Sequence, residues 1–94
     1  MDEIQLAKEL GINIEGTFSQ DGSYIIDIPN DEMFGKIYSR FEDLTSDNLL
    51  NYMESNEIIS NEAISVTYRY ENEYQLNLIS NLVSGTYKLV ISEL

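Results

Sequence analysis

Carboxylates, tyrosine hydroxyls and a few lysines are the groups with chemistry to offer in this 94-residue chain, which has seventeen Asp and Glu, seven Tyr, and neither His nor Cys. Without histidine, the usual general base and the commonest transition-metal ligand are missing. Without cysteine there is no disulfide, thiolate nucleophile or thiolate metal site. Paired carboxylates can still do acid–base work. Asp31 and Glu32 are adjacent, and Glu71 and Glu73 flank Asn72. Each pair also has a simple structural use: the first sits at a helix start, where negative charge meets the helix dipole, and the second on a solvated turn. Neither has a nucleophile or base beside it in sequence. Asp21-Gly22-Ser23 opens like a calcium loop but lacks the alternating acids and the closing Glu. Asp43 and Asp47 lie four apart, yet Thr45-Ser46 interrupts the helical pattern between them. The Gly11 to Gly16 stretch is no phosphate loop. The expectation is a protein with no catalytic residues, no metal site and no cofactor.

What stands out is charge. Seventeen acids against five bases give a formal net charge of −12. Such a field repels nucleic acid and anionic membranes and draws in basic surfaces. Five scattered bases do not make a nucleic-acid-binding stripe. The acids run from Asp2 to Glu93, with no acidic tail, so a folded domain would hold them in a fixed arrangement. Those on turns and element starts are the expected partner-facing set: Asp21, Asp27, Asp31, Glu32, Glu71 and Glu73. Tyr24 and Tyr52, the tyrosines least constrained by the pattern, are the expected aromatic contacts.

The elements that must carry these groups follow from hydrophobic period. In the last third, Ile64, Val66, Tyr68 and Tyr70, then Tyr74, Leu76 and Leu78, then Tyr87, Leu89 and Ile91 alternate with polar residues. A period of two puts side chains on opposite faces of a strand, so this is a three-stranded antiparallel meander with one apolar face. Glu71-Asn72-Glu73 and Ser84-Gly85 supply its turns. Tyr68, Tyr70, Tyr74 and Tyr87 are then core residues rather than contacts. Asp2 to Leu10 reads as a short helix ended by Gly11. Ile12 to Phe18 and Tyr24 to Ile28, joined across Asp21-Gly22, read as a hairpin, with Gly16 marking a bulge or a close backbone approach. After Pro29, Asn30 caps a helix carrying Phe34, Ile37, Tyr38, Phe41 and Leu44. Leu49, Leu50 and Met53 suggest a second short helix, and Ile58-Ile59 is either a strand or a buried loop. The predicted class is α+β: one small single domain over 1–94, in which an N-terminal hairpin and a C-terminal three-stranded meander make an antiparallel sheet carrying two or three short helices, in the order α-β-β-α-(α)-β-β-β. Phe34, Ile37 and Phe41 should pack on the meander face bearing Val66, Leu76, Leu78 and Leu89. The last strand, Tyr87 to Ser92, is expected at a sheet edge with Lys88 as its blunting charge, which leaves oligomerisation open.

No residue motif carries a family. In composition the chain resembles small, acidic, cysteine-free inhibitors, among them phage-borne antagonists of host nucleases and proteins that mimic DNA charge. That resemblance implies a non-enzymatic protein of DNA-mimic or anti-CRISPR type. Its partner would be a protein with a basic surface, such as a nuclease or another nucleic-acid-binding enzyme, with no direct contact to nucleic acid or membrane. An immunity-type or accessory subunit for one dedicated protein is the alternative, and a small enzyme the third. The acidic start Met1-Asp2-Glu3 is unlike a signal peptide, so the expected place is the cytoplasm of a bacterial or phage-infected cell.

Overall fold

A computed structural model describes residues 1–53, 58–59 and 62–94. Helix α1 spans Glu3–Glu9, strand β1 Thr17–Phe18, β2 Tyr24–Ile28 and helix α2 Asp31–Ser46. Strands β3 (Asn51–Tyr52), β4 (Ile58–Ile59), β5 (Ala63–Tyr70), β6 (Tyr74–Asn81) and β7 (Thr86–Glu93) follow. All pairings are antiparallel, in the order β1-β2-β7-β6-β5-β3, and β4 also pairs with β5. Because β3 and β4 lie along the same edge of β5, seven strands fill six positions across the sheet.

Local chemistry sets the helices. Asp2 caps α1 through a reciprocal box: its carboxylate accepts from the Gln5 amide at 2.8 Å, and the Gln5 side chain accepts from the Asp2 amide at 3.2 Å. Gly11 follows at φ +85°, where a left-handed turn costs glycine nothing. Asn30 caps α2 by accepting from the Met33 amide at 2.9 Å.

Pairing then aligns the apolar faces. Val66, Leu78, Leu89 and Ile26 form one cross-strand row, and Tyr68, Leu76, Ile91 and Tyr24 the next. Leu6 and Ala7 of α1, Leu10 just after it, and Ile37, Phe41 and Leu44 of α2 join these rows in one core, so both helices cover the same face. Phe41 meets Tyr68 edge-on, 5.2 Å between ring centres. The expected partnership of Ile37 and Phe41 with the meander holds, while Phe34 sits at the margin against Tyr87.

Three expectations are corrected. The segment read as a second short helix forms β3 instead, because α2 ends at Ser46, Asn48 takes φ +62°, and Tyr52 pairs with Tyr68. The first strand of the hairpin is only Thr17–Phe18. The final strand is no edge: β7 lies between β2 and β6 and pairs with both. Among the described residues, no helix is long and apolar enough to cross a membrane.

Candidate functional site

The acids expected to form one patch are divided by the fold. Asp31 and Glu32 stand in the first turn of α2, at the end of the sheet where β2 finishes and β7 begins. Glu32 there pairs with Lys36 at 3.4 Å. Asp27 lies on the sheet face away from the helices, 3.6 Å from Lys88 on the neighbouring strand, so its charge is largely matched. Glu71 and Glu73 occupy the β5–β6 turn at the opposite end, with Glu71 at φ +51°. Asp21 is at that same end. It sits in the β1–β2 turn, and Ser23 beyond it meets Ser92 of β7 at 3.0 Å.

Tertiary structure adds acids to this end that sequence spacing did not group. The Leu94 amide donates to the Glu73 carbonyl at 2.9 Å, which brings Glu93 beside the turn. The Tyr74 hydroxyl donates to the Met1 carbonyl, which brings Asp2 and Glu3. Glu9, at the far end of α1, lies within electrostatic reach of Tyr70, the cross-strand partner of Tyr74. Asp2, Glu3, Glu9, Glu71, Glu73 and Glu93 thus converge from three separate stretches of chain.

The two tyrosines register the resulting field. Burial raises the Tyr74 hydroxyl above its ordinary ionisation range, and Glu3, Glu93, Glu73 and Asp2 raise it further. Tyr70 is raised in the same way by burial, then by Glu71, Glu9 and Glu73. At the other end Tyr87 is raised by burial and by Asp31, whose carboxylate accepts from its hydroxyl at 3.4 Å. Asp21 has local work. It accepts hydrogen bonds from the Ser19 hydroxyl and from the Ser23 amide at 3.0 Å. Ser19 first, then Ser23, hold its carboxyl below the usual range.

Chemically, the acidic end is a display of charge. Among the described residues no three acids are grouped to hold a metal ion. Glu71, Glu73 and Glu93 are exposed on a turn and at a strand end.

The tyrosines expected as contacts part company. Tyr24 is 5% exposed, its ring 5.0 Å from Phe18 and its hydroxyl accepting from the Gly16 amide at 2.8 Å. That makes it a core residue, in correction of the sequence reading, which missed its hydrogen bond to the Gly16 amide just before β1. It forms the floor of a cleft of about 430 Å3 walled by Ile4, Lys8, Ile14 and Phe18. Tyr52 is 38% exposed and borders a second cleft, of about 330 Å3, with Tyr38, Glu42, Thr45 and Val66. Tyr38, read from sequence as part of the apolar stripe of α2, is 39% exposed, and Glu42, which the sequence reading did not single out, lies four residues on along the same helix face.

The open face of the sheet contrasts with the acidic end. Its strand residues carry one acid, Asp27, and two bases, Arg69 and Lys88, around half-buried Ile25, Ile79 and Val90. No protein-family model, curated protein or solved structure matches the chain.

Proposed function

We propose that this is a non-enzymatic binding protein that sets its acidic end against a positively charged surface of a partner protein, of the kind that binds nucleic acid. One observation carries the reading: six carboxylates, from α1, the β5–β6 turn and the end of β7, converge where no described base pairs with them. Carboxylates brought together from distant stretches repel one another. A fold gains nothing from that unless the charge is used or merely keeps the protein in solution. Spaced for display rather than for chelation, they present a fixed anionic relief, the feature that a nucleic-acid-binding groove already recognises in phosphate. A DNA-mimicking antagonist acting in the cytoplasm of a bacterial or phage-infected cell fits that arrangement.

The test is affinity capture from bacterial lysate with the immobilised protein, with and without excess duplex DNA. The captured partner is then titrated against the Glu73→Lys, Glu93→Lys double variant. A nucleic-acid-binding partner displaced by DNA and weakened by the reversals is the expected result. A partner indifferent to DNA would overturn the mimic and favour a subunit dedicated to one protein.

A further inference from the structure

The cleft over Tyr24 lies at the β1–β2 edge of the sheet, opposite the edge made by β3 and β4. Ile4, Ala7 and Lys8 recur at i, i+3 and i+4, so one face of α1 supplies one wall. The rest comes from the chain after α1: Ile12 and Ile14 on the way to β1, then Phe18 of β1. Short-range bonds fix these parts. The Ile12 amide donates to the Ala7 carbonyl at 2.9 Å, which ties the chain beyond Gly11 back to α1. The Gly16 amide donates to the Tyr24 hydroxyl at 2.8 Å, and the Phe18 and Tyr24 rings meet at 5.0 Å. The walls are therefore set before anything enters. At the mouth Ile4 is 38% and Phe18 52% exposed, two large apolar side chains left in water. The charges in the lining balance, Lys8 against Glu15, and neither has an ion-pair partner among the described residues. A space of about 430 Å3 with this lining suits a large, neutral, apolar group.

The surroundings indicate what carries that group. Glu3 adjoins Ile4, Glu9 adjoins Lys8, Glu15 adjoins Ile14, and Asp21 lies in the turn between Phe18 and Tyr24. Four acids and one base around an apolar opening favour a positively charged segment. Helix α1 also joins the cleft to the acidic end. Asp2, Glu3 and Glu9 belong to that end, and Ile4, Ala7 and Lys8 to the cleft. A helix of seven residues rises only about 10 Å, so a partner seated on the acidic end reaches the cleft. We infer that the cleft takes a large apolar side chain that a partner protein presents between basic residues. Charge then brings the partner in, and one side chain removed from water holds it, the division between rim and centre that protein interfaces use. That the side chain belongs to a partner protein rests on the binding role proposed above; the preference of the cleft for an apolar group with basic flanks does not.

The probes are three short peptides, titrated into the intact protein and followed by the methyl resonances of its isoleucines. Acetyl-lysyl-phenylalanyl-lysine amide should move the Ile4, Ile12 and Ile14 signals in a saturable way and leave those of Ile26 and Ile91 in place. Acetyl-lysyl-alanyl-lysine amide keeps the charge but lacks the anchor, and should not. Acetyl-glycyl-phenylalanyl-glycine amide keeps the anchor without the charge. It should bind more weakly at low salt and converge with the first peptide at about 1 M salt, where charges reach only about 3 Å. Ile4→Ser and Phe18→Ser change exposed side chains, so the core signals should persist. Each should weaken the first peptide by about four- to fifteenfold, the scale of one or two methylene groups left in water. Equal binding of the alanyl peptide would overturn the apolar anchor, as would shifts spread evenly over all the isoleucines. Equal binding of the glycyl peptide at low salt would overturn the basic flanks. Against the captured partner, the Ile4→Ser, Phe18→Ser double variant should dissociate faster with association little changed; unchanged dissociation would remove the anchor from that interface. The glycyl peptide should bind the Glu73→Lys, Glu93→Lys variant as it binds wild type. The cleft and the acidic end therefore stand or fall separately.

Discussion

Tyr74 shows how a single side chain reports on the charge around it. Its ring is buried in the core and its hydroxyl donates to the Met1 carbonyl. Burial and then four acids oppose its ionisation. In the unfolded chain these effects vanish and the hydroxyl titrates near its ordinary value of about 10. With the folded value raised, the stabilisation tied to Tyr74 is fully present below that unfolded value and is lost as pH climbs through the folded one. Tyr70 and Tyr87 act in the same direction. An ultraviolet titration of the folded protein should therefore show a late-ionising group of tyrosines, with stability falling in alkali. In the Glu73→Lys, Glu93→Lys variant Tyr74 should titrate earlier than in wild type, and Tyr87, which faces Asp31, should not move. A shift of both by the same amount would mean bulk charge rather than neighbours. At this scale sequence reading went part of the way. Alternation identified Tyr68, Tyr70, Tyr74 and Tyr87 as inward-facing, because period is a local property. It could not place Glu93 beside Glu73, or Lys88 beside Asp27, because those meetings depend on which strands pair.

Elements were legible where a local signal fixed them. The cap at Asn30, the turns at Gly11, Gly22 and Gly85 and the three long strands all lay in residue type and spacing, whereas Asp2, read as the first residue of α1, turned out to be its cap. The segment after α2 misled because Leu49, Leu50 and Met53 imitate a helical stripe, whereas Leu50 is buried behind a chain already turned by Asn48. Insertion of β7 beside β2 joined two segments about sixty residues apart in sequence, which no local pattern encodes. Gly16 offers a sharp test of the hairpin. A β-carbon there would sit 2.4 Å from the Ile25 carbonyl oxygen and 2.9 Å from Ile26, so the strands could not keep their approach. Gly16→Ala should lower stability by about 1–3 kcal/mol, the usual cost of overpacking, read as a lower denaturant midpoint. An unchanged midpoint would show that the strands can part without loss. Phe41→Ala removes the 0%-exposed ring that joins α2 to Tyr68. Its expected cost is about 3–5 kcal/mol, much of the stability of a small domain.

For the whole molecule, the sheet edges and the charge distribution decide how it meets others. The two edges, β1 on one side and β3 with β4 on the other, consist of strands of two residues each, too short to template pairing. Light scattering after gel filtration should accordingly give the mass of one chain, and a dimer would point to the open sheet face. Charge placement is the harder claim, because a net charge of −12 alone would make binding to any basic surface sensitive to salt. Two double variants separate placement from amount. Glu73→Lys with Glu93→Lys alters the acidic end. Asp27→Lys with Glu32→Lys alters the open face and the opposite end. Each Glu or Asp to Lys change adds two positive units, so both variants carry −8. Asp27 and Glu32 each face a lysine in an exposed pair, and such pairs contribute about 0–1 kcal/mol, so neither variant should lose its fold. Against the captured partner at low salt, the first variant should associate about tenfold or more slowly than the second, with dissociation changed much less, as steering charges act on the encounter. Raising salt to about 1 M shortens the reach of charge to about 3 Å and should erase the difference. Equal slowing in both variants would mean that only the total charge matters, and the acidic end would then be a means of staying dissolved.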